Sequence, residues 1–562
     1  MARKSKGARQ GEPGPKEPGS GEHGPGKTRN KKKLSRRKIA VILIVICAVA
    51  LLAGILSFDS LPSGIGDNAE FVILARSLAE GQGFRYINHP ELRPATKYPP
   101  GFPAFLAGWS FIFGDSVKSM KINVLLCFVA AAGMTFLLGR RLIGDHLAAL
   151  AALTVAISSS VIEYSHQVLS DVPYMLFSLV ALYLVIAGAR GSRTAMAGLA
   201  LCIWAYFTRT AGASLVLASA VFLLLKSRRR EAVLLICGFV AVSGLWAVRN
   251  YTVAGEGSRY LNVLLSANPY DPDQGTVTFS GLVTRAWING TSYLGGLFPT
   301  IILPTLVKPI REFGEIATTS LMSVLVIVTG VFGAAALRKK SLLISLYMVF
   351  YMLIYLGWPE VWRSERFMIP MAPLLAIYLF AGIRWLLGFF GTRGIAVTAV
   401  CAVLALTNIF ALHRFIARPK AYPPGWVRYF DAAEWIGRNS EEDAIVLCRK
   451  PFLFYLFSNR RTIAYPFTRD RAAMREYLLE ASPDYIVLEK LSGGTSATDV
   501  YLIPALHGMT EYLEDAHFTE EPVTAVYRFR VPTGGTGQTG GTGGAPEGKT
   551  AGKAGAGEAY EP

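Results

Sequence analysis

Gly64-Ile65-Gly66-Asp67-Asn68-Ala69-Glu70-Phe71 follows closely on an apolar run from Ile39 to Phe58, and it opens a polar stretch that reaches Lys97-Tyr98-Pro99-Pro100-Gly101-Phe102-Pro103. A run of about twenty apolar residues is the length that crosses a bilayer as a helix. The stretch after it therefore stands at a membrane face, where two carboxylates three residues apart, a lysine and a Pro-Pro turn can meet water. The same ruler finds further runs near 118–139, 147–162, 172–189, 194–208, 210–226, 231–248, 316–337, 341–358, 367–388 and 394–413. With the first, that makes about eleven spans.

Composition agrees with this class. The chain has 562 residues, 52% of them hydrophobic, and a mean hydropathy of +0.37, which is too apolar for an ordinary soluble protein. Its net charge of +18 does not point to nucleic acid. The excess sits in the first 38 residues and in short loops, where it reads as membrane topology. Arg140-Arg141, Arg190 with Arg193, Lys226 to Arg230, Arg338 to Lys340 and Arg393 all fall on the side of the N-terminus when the spans are drawn as above. That side is predicted to be cytoplasmic, in a multi-pass protein of the plasma (inner) membrane. The segment from Thr194 to Lys226 is a hairpin turning at Thr208-Arg209-Thr210, which puts Arg209 on the opposite face.

Residues 1–38 are basic and rich in Gly and Pro, and are expected to be a disordered cytoplasmic tail. Residues 39–413 form the transmembrane domain, with 59–117 as its first outer loop. Trp287 to Val307 is apolar but broken by glycine and proline, and is expected to be interfacial or re-entrant. Residues 425–530 alternate helix-like and strand-like patterns and predict a small extracytoplasmic α/β domain. The Gly/Thr-rich stretch 531–562 is expected to be a disordered tail. Five of the six cysteines lie in apolar runs and only Cys448 lies outside them, so no disulfide framework is predicted.

The polar residues that could carry chemistry collect on the outer face. Asp67 and Glu70 fit a helix-capping box as well as a catalytic pair. A carboxylate at a partly desolvated membrane face can also take the proton of an attacking hydroxyl. Asp171, in Ser170-Asp171-Val172-Pro173, is a good N-cap and has Glu163 and His166 just upstream. Lys97, beside Tyr98, would set an ammonium at headgroup depth, where a snorkelling lysine is the ordinary alternative. Arg249, Arg363 and Arg366 lie among aromatic residues at the outer ends of spans, an arrangement that suits a phosphate with an apolar tail. Arg366 is the favoured contact, and Arg363 has Glu360 and Glu365 nearby as partners. Asp271-Pro272-Asp273 reads as a turn, His166 lacks companions at metal-ligand spacing, and no metal or other cofactor is assigned. A divalent metal is not indicated by the sequence. Asn250-Tyr251-Thr252 and Asn289-Gly290-Thr291 match the glycosylation acceptor pattern, which arises easily by chance.

Taken in order, Asp67-Asn68-Ala69-Glu70-Phe71 with Ala75-Arg76, Tyr98-Pro99-Pro100-Gly101-Phe102-Pro103, Ser170-Asp171-Val172-Pro173, Arg249-Asn250 and Arg366-Phe367 with Pro370 and Pro373 resemble the GT-C fold, polyprenyl-phosphate-sugar-dependent membrane glycosyltransferases. The pattern is nearest to bacterial relatives of the protein O-mannosyltransferases and of the lipid A aminoarabinose transferase, and it covers roughly 39 to 413. The resemblance implies inverting transfer of a sugar from an isoprenoid-phosphate donor to a lipid, glycan or protein acceptor. It makes Asp67 the first-loop aspartate, Asp171 the second loop acid and Lys97 a donor-phosphate contact. Many members carry Asp-Glu at the first motif, where this chain has Asp67-Asn68.

Two other classes fit a polytopic chain. A transporter or lipid flippase would line a central path with polar residues, whereas here they gather at outer ends of spans, and no inverted repeat is visible. A non-catalytic envelope glycan-binding scaffold would not need the full set of Asp67, Lys97 and Asp171.

Overall fold

The computed structural model describes residues 34–64, 66–254, 259–269, 274–307, 321–392, 394–491 and 496–530. Most of the N-terminal tail, the Asp271-Pro272-Asp273 turn, the start of the 316–337 run and the C-terminal tail lie outside the described residues.

Among the described residues, each expected apolar run is mostly helical. In chain order the helices of the first half are α1 Arg36–Ser57, α2 Gly66–Ala79, α3 Gly101–Phe113, α4 Val117–Ile143, α5 Asp145–Ala156, α6 Ser159–Ser165, α7 Asp171–Ala187, α8 Arg193–Thr208, α9 Ala213–Leu225 and α10 Arg229–Ala254. They continue with α11 Arg259–Leu265, α12 Phe279–Ser292, α13 Phe298–Ile302, α14 Leu321–Leu337, α15 Leu342–Leu356, α16 Ala372–Phe389 and α17 Gly394–Ile416. Among the described residues, five helices are long and apolar enough to cross a membrane, or six if α5 and α6, bent by 59° at Ser158, count as one. Two of the runs are broken at polar residues. Ser158 accepts from the Val161 amide, and Arg209 sits in extended backbone between α8 and α9.

Small residues set the closest helix contact. Gly333 on α14 faces the Tyr378 carbonyl and Gly382 on α16 faces that of Thr329, so a Cβ at either position would overlap backbone. Trp287 to Val307 is helical up to Ile302; Trp287 and Leu294 are exposed, while Tyr293, Phe298 and Ile301 to Leu303 are buried. Ser158 donates to the Ile301 carbonyl and Asn408 to that of Ile302, so the freed carbonyls of this broken segment are met by neighbouring helices.

The C-terminal segment adds α18 Pro424–Asn439, β1 Ile445–Leu447, α19 Pro451–Ser458, β2 Arg461–Ile463, α20 Arg471–Ala481, β3 Tyr485–Leu488, α21 Ile503–Leu506, β4 Leu513–Phe518 and β5 Ala525–Phe529. The five strands form one sheet in the order β2-β1-β3-β5-β4, parallel from β2 to β3 and antiparallel beyond. Successive residues point to opposite faces. Val446 and Val487 face α18 and α19, while Leu447 and Ile486 face α20 and α21. The first of these cores also takes in Ala69 and Ile73 of α2 and Ile87, so this domain and the 59–117 loop share one apolar interior.

Candidate active site

The residues that converge come from five separate places in the chain. α2 begins at Gly66 and carries Asp67 and Glu70 on one face of its first turns. Asp67 is thus inside the helix, not its cap, and its carboxylate turns to side chains. Tyr98 donates to Oδ1 at 2.6 Å, Lys97 Nζ lies 3.5 Å from the same oxygen, and Arg366 Nη1 is 2.8 Å from Oδ2. Glu70 accepts from Lys97 at 2.8 Å and from the Tyr86 hydroxyl at 2.7 Å.

Asp171 likewise is the first residue of α7, with Ser170 as the flanking N-cap. Its carboxylate is fully buried and holds two arginines, Arg209 Nη1 at 2.9 Å and Arg366 Nε at 3.0 Å. Arg209 also donates to the Ser170 hydroxyl at 3.2 Å and to the Tyr355 hydroxyl at 3.3 Å. Arg366 enters from a 3-10 turn, Glu365–Met371, that leads into α16, and it bridges the two aspartates. Three carboxylates and three cations therefore form one neutral network. Lys97 is its most open member, 23% exposed against 11% for Asp67 and 0% for Asp171.

These environments push the acids apart. Burial would raise the Asp67 carboxyl, but Arg366, Lys97 and the Tyr98 hydroxyl outweigh it and hold it well below the usual carboxylate range. For Glu70 burial wins over Lys97, and the neighbouring Asp67 charge adds to it, so its pKa is raised.

The remaining predicted residues have other surroundings. Arg249 donates to the carbonyls of Ala95 at 2.5 Å and Phe84 at 3.1 Å, and its guanidinium lies over the Trp246 ring. It locks the hairpin 84–95. His166 caps α6 between Phe58 and Phe415. Burial and then the Lys121 ammonium lower its pKa to about 4, so it is a neutral imidazole at neutral pH. Glu163 is half-buried on α6. Arg363 donates its backbone N–H to the Glu360 carbonyl at 3.0 Å, and its Nη1 is buried without a hydrogen-bond partner.

Several participants were not singled out from sequence. Lys121, 2% exposed, donates to the carbonyls of Asp59 and Leu61 and ties down the chain just before α2. A lone lysine inside an apolar run was the available signal. Tyr355 belongs to a series with Tyr347 and Tyr351 on one face of α15, legible as a four-residue spacing. Nothing local marks Tyr86.

The fold has counterparts among solved structures. ArnT from Cupriavidus metallidurans bound to undecaprenyl phosphate superposes with a TM-score of 0.55 at 12% identity, covering 88% of this chain and 98% of that one. The archaeal oligosaccharyltransferase AglB from Archaeoglobus fulgidus, in complex with an inhibitory peptide and a dolichol-phosphate, gives 0.53 at 14% identity, covering 80% and 69%. This protein has the GT-C glycosyltransferase fold. Residues 97–248 match the family model of dolichyl-phosphate-mannose-protein mannosyltransferases. That segment contains Lys97, Asp171 and Arg209 of the network. No curated protein sequence matches the chain.

Asp171→Asn should be the most damaging single change to the network's stability. Arg209 has no second carboxylate among the ion pairs described, and stripping one partner from a buried pair costs about 3–5 kcal/mol. Thermal unfolding in detergent should show a large loss for Asp171→Asn and a smaller one for Asp67→Asn, because Arg366 keeps Asp171 and Lys97 keeps Glu70.

Proposed function

We propose that this integral membrane protein is a glycosyltransferase that moves a sugar from a polyprenyl-phosphate donor to an acceptor, a lipid, glycan or protein, at the outer membrane face. The observation that carries the reading is Asp67 flanked by Arg366 and Lys97, a carboxylate beside two cations at the membrane-proximal end of the first loop. The shared fold and the lipid phosphates held by ArnT and AglB support the donor class.

In this reading the acceptor oxygen attacks the anomeric carbon as the bond to the lipid phosphate breaks, and configuration inverts. The leaving phosphate takes the electron pair and is met by Arg366 and Lys97, cations suited to it by charge and hydrogen bonding. The acceptor proton passes to Asp67. At rest those same cations make Asp67 a weak base. A donor phosphate drawing them toward itself uncaps the carboxylate when a base is needed. Asp171 anchors Arg366 and Arg209 and keeps the cationic wall in place.

The proposed topology places the N-terminus in the cytoplasm and residues 425–530 outside it, supported by the basic loops on one side. The 59–117 loop is then the catalytic loop of a 39–413 transmembrane domain. A compartment-dependent reporter joined after residue 531 should be active only outside the cytoplasm, and cytoplasmic activity would reverse the orientation.

Asp67→Asn tests the chemistry. Asparagine keeps the side chain's shape but cannot accept the proton, and loss of a general base typically costs about a hundredfold to ten-thousandfold in rate. Mass spectrometry of acceptors incubated with polyprenyl-phosphate-linked sugars should find transfer by the wild-type protein and almost none by this variant. Near-normal turnover would remove Asp67 from the reaction.

A further inference from the structure

α2 is gripped from two sides. Phe71, Val72 and Ala75 enter the transmembrane core, whereas Ala69 and Ile73 belong to the core of the C-terminal domain. Asp67 and Glu70 lie on the strip between these two apolar stripes. The grip extends to the 84–95 hairpin, which docks on β2, the edge strand of the sheet. The Thr462 amide donates to the Asn88 carbonyl at 2.7 Å. Asn88 returns a bond to the Thr462 hydroxyl at 3.1 Å, and Arg461 donates to the Ile87 carbonyl at 2.7 Å.

Tyr86 stands where these contacts meet the acids. Its ring packs on Phe452 of α19, with centroids 5.2 Å apart, and its hydroxyl donates to Glu70. Glu70 in turn holds Lys97 beside Asp67. A path of direct contacts thus runs from the C-terminal domain through Phe452, Tyr86, Glu70 and Lys97 to Asp67.

We infer that Tyr86 is a positioning residue for the Asp67–Glu70 helix, held in place by the C-terminal domain through Phe452, and that this domain is a working part of the active site. The inference rests on the glycosyltransferase reading above. Tyr86 touches no reacting atom. It fixes which oxygen of Glu70 is offered to Lys97, and so how far the ammonium leans toward Asp67.

The test uses the full chain in detergent, with the polyprenyl-phosphate-linked sugar taken by the wild-type protein as probe. Tyr86→Phe deletes only the hydroxyl. A hydrogen bond to a charged group supports its equilibrium by about tenfold or more, so kcat should fall about tenfold. The titratable groups facing Glu70 are Asp67, Lys97 and Tyr86, and behind Tyr86 the C-terminal domain presents the uncharged Phe452 ring. The Tyr86 hydroxyl favours the ionised form of Glu70. Its loss moves protonation to higher pH, and the acid limb of the rate profile should rise by about one pH unit, the equivalent of that tenfold. Phe452→Ala should act alike and speed amide hydrogen exchange across 66–79, and Phe452→Leu should restore most of both. A Tyr86→Phe variant with wild-type rate and an unmoved acid limb overturns the inference, as does unchanged exchange in Phe452→Ala. If the wild-type protein turns over no such donor, the glycosyltransferase reading fails, and exchange across 66–79 still decides whether the C-terminal domain positions α2.

Discussion

Arg366 bridges Asp67 and Asp171, and the site takes its shape from that bridge. A guanidinium taken out of water costs several kcal/mol unless its charge and hydrogen bonds are met. Two carboxylates from elements more than a hundred residues apart meet them here. The consequence is geometric as well as energetic. The planar fork of arginine fixes α2 and α7 relative to each other and to the turn entering α16. Arg209 repeats the device on the other side of Asp171, and Lys97 does so less deeply between Asp67 and Glu70.

The network is neutral and fully paired at rest, so any anion that enters must compete with a carboxylate. The least buried member, Lys97, is where competition begins. Its two bonds to Glu70 and Asp67 differ in length, 2.8 and 3.5 Å, so it is held chiefly by Glu70. The C-terminal domain backs the same helix through a continuous apolar core. A domain whose composition said nothing about chemistry thus reaches the acids by packing.

Much of this was legible in the sequence. The described parts of the expected apolar runs are mostly helical because length and apolarity are local properties. Asp67, Asp171, Arg209 and Arg366 stood out because charge near the ends of apolar runs is rare and costly. Partner choice was not legible. Asp67 and Asp171 read as caps with local patterns in their favour, yet both carboxylates are drawn to arginines distant in sequence. Arg249 looked like a phosphate contact, but the hairpin carbonyls of Phe84 and Ala95 claim it, and a hairpin's carbonyl positions are set by its fold. Tyr86 was invisible because its role depends on an aromatic ring far along the chain. Span number was harder still, since a polar cap such as Ser158 bends a run without changing its average hydropathy.

In the proposed reaction Arg366 and Lys97 receive the lipid phosphate beside Asp67. Electron cryo-microscopy of the protein in nanodiscs with undecaprenyl phosphate tests this directly. The account predicts phosphate density within hydrogen-bond reach of the Arg366 guanidinium and the Lys97 ammonium, with the Asp67 carboxylate drawn away from at least one of them. Phosphate density elsewhere, with the Asp67–Arg366 pair unchanged, would contradict it.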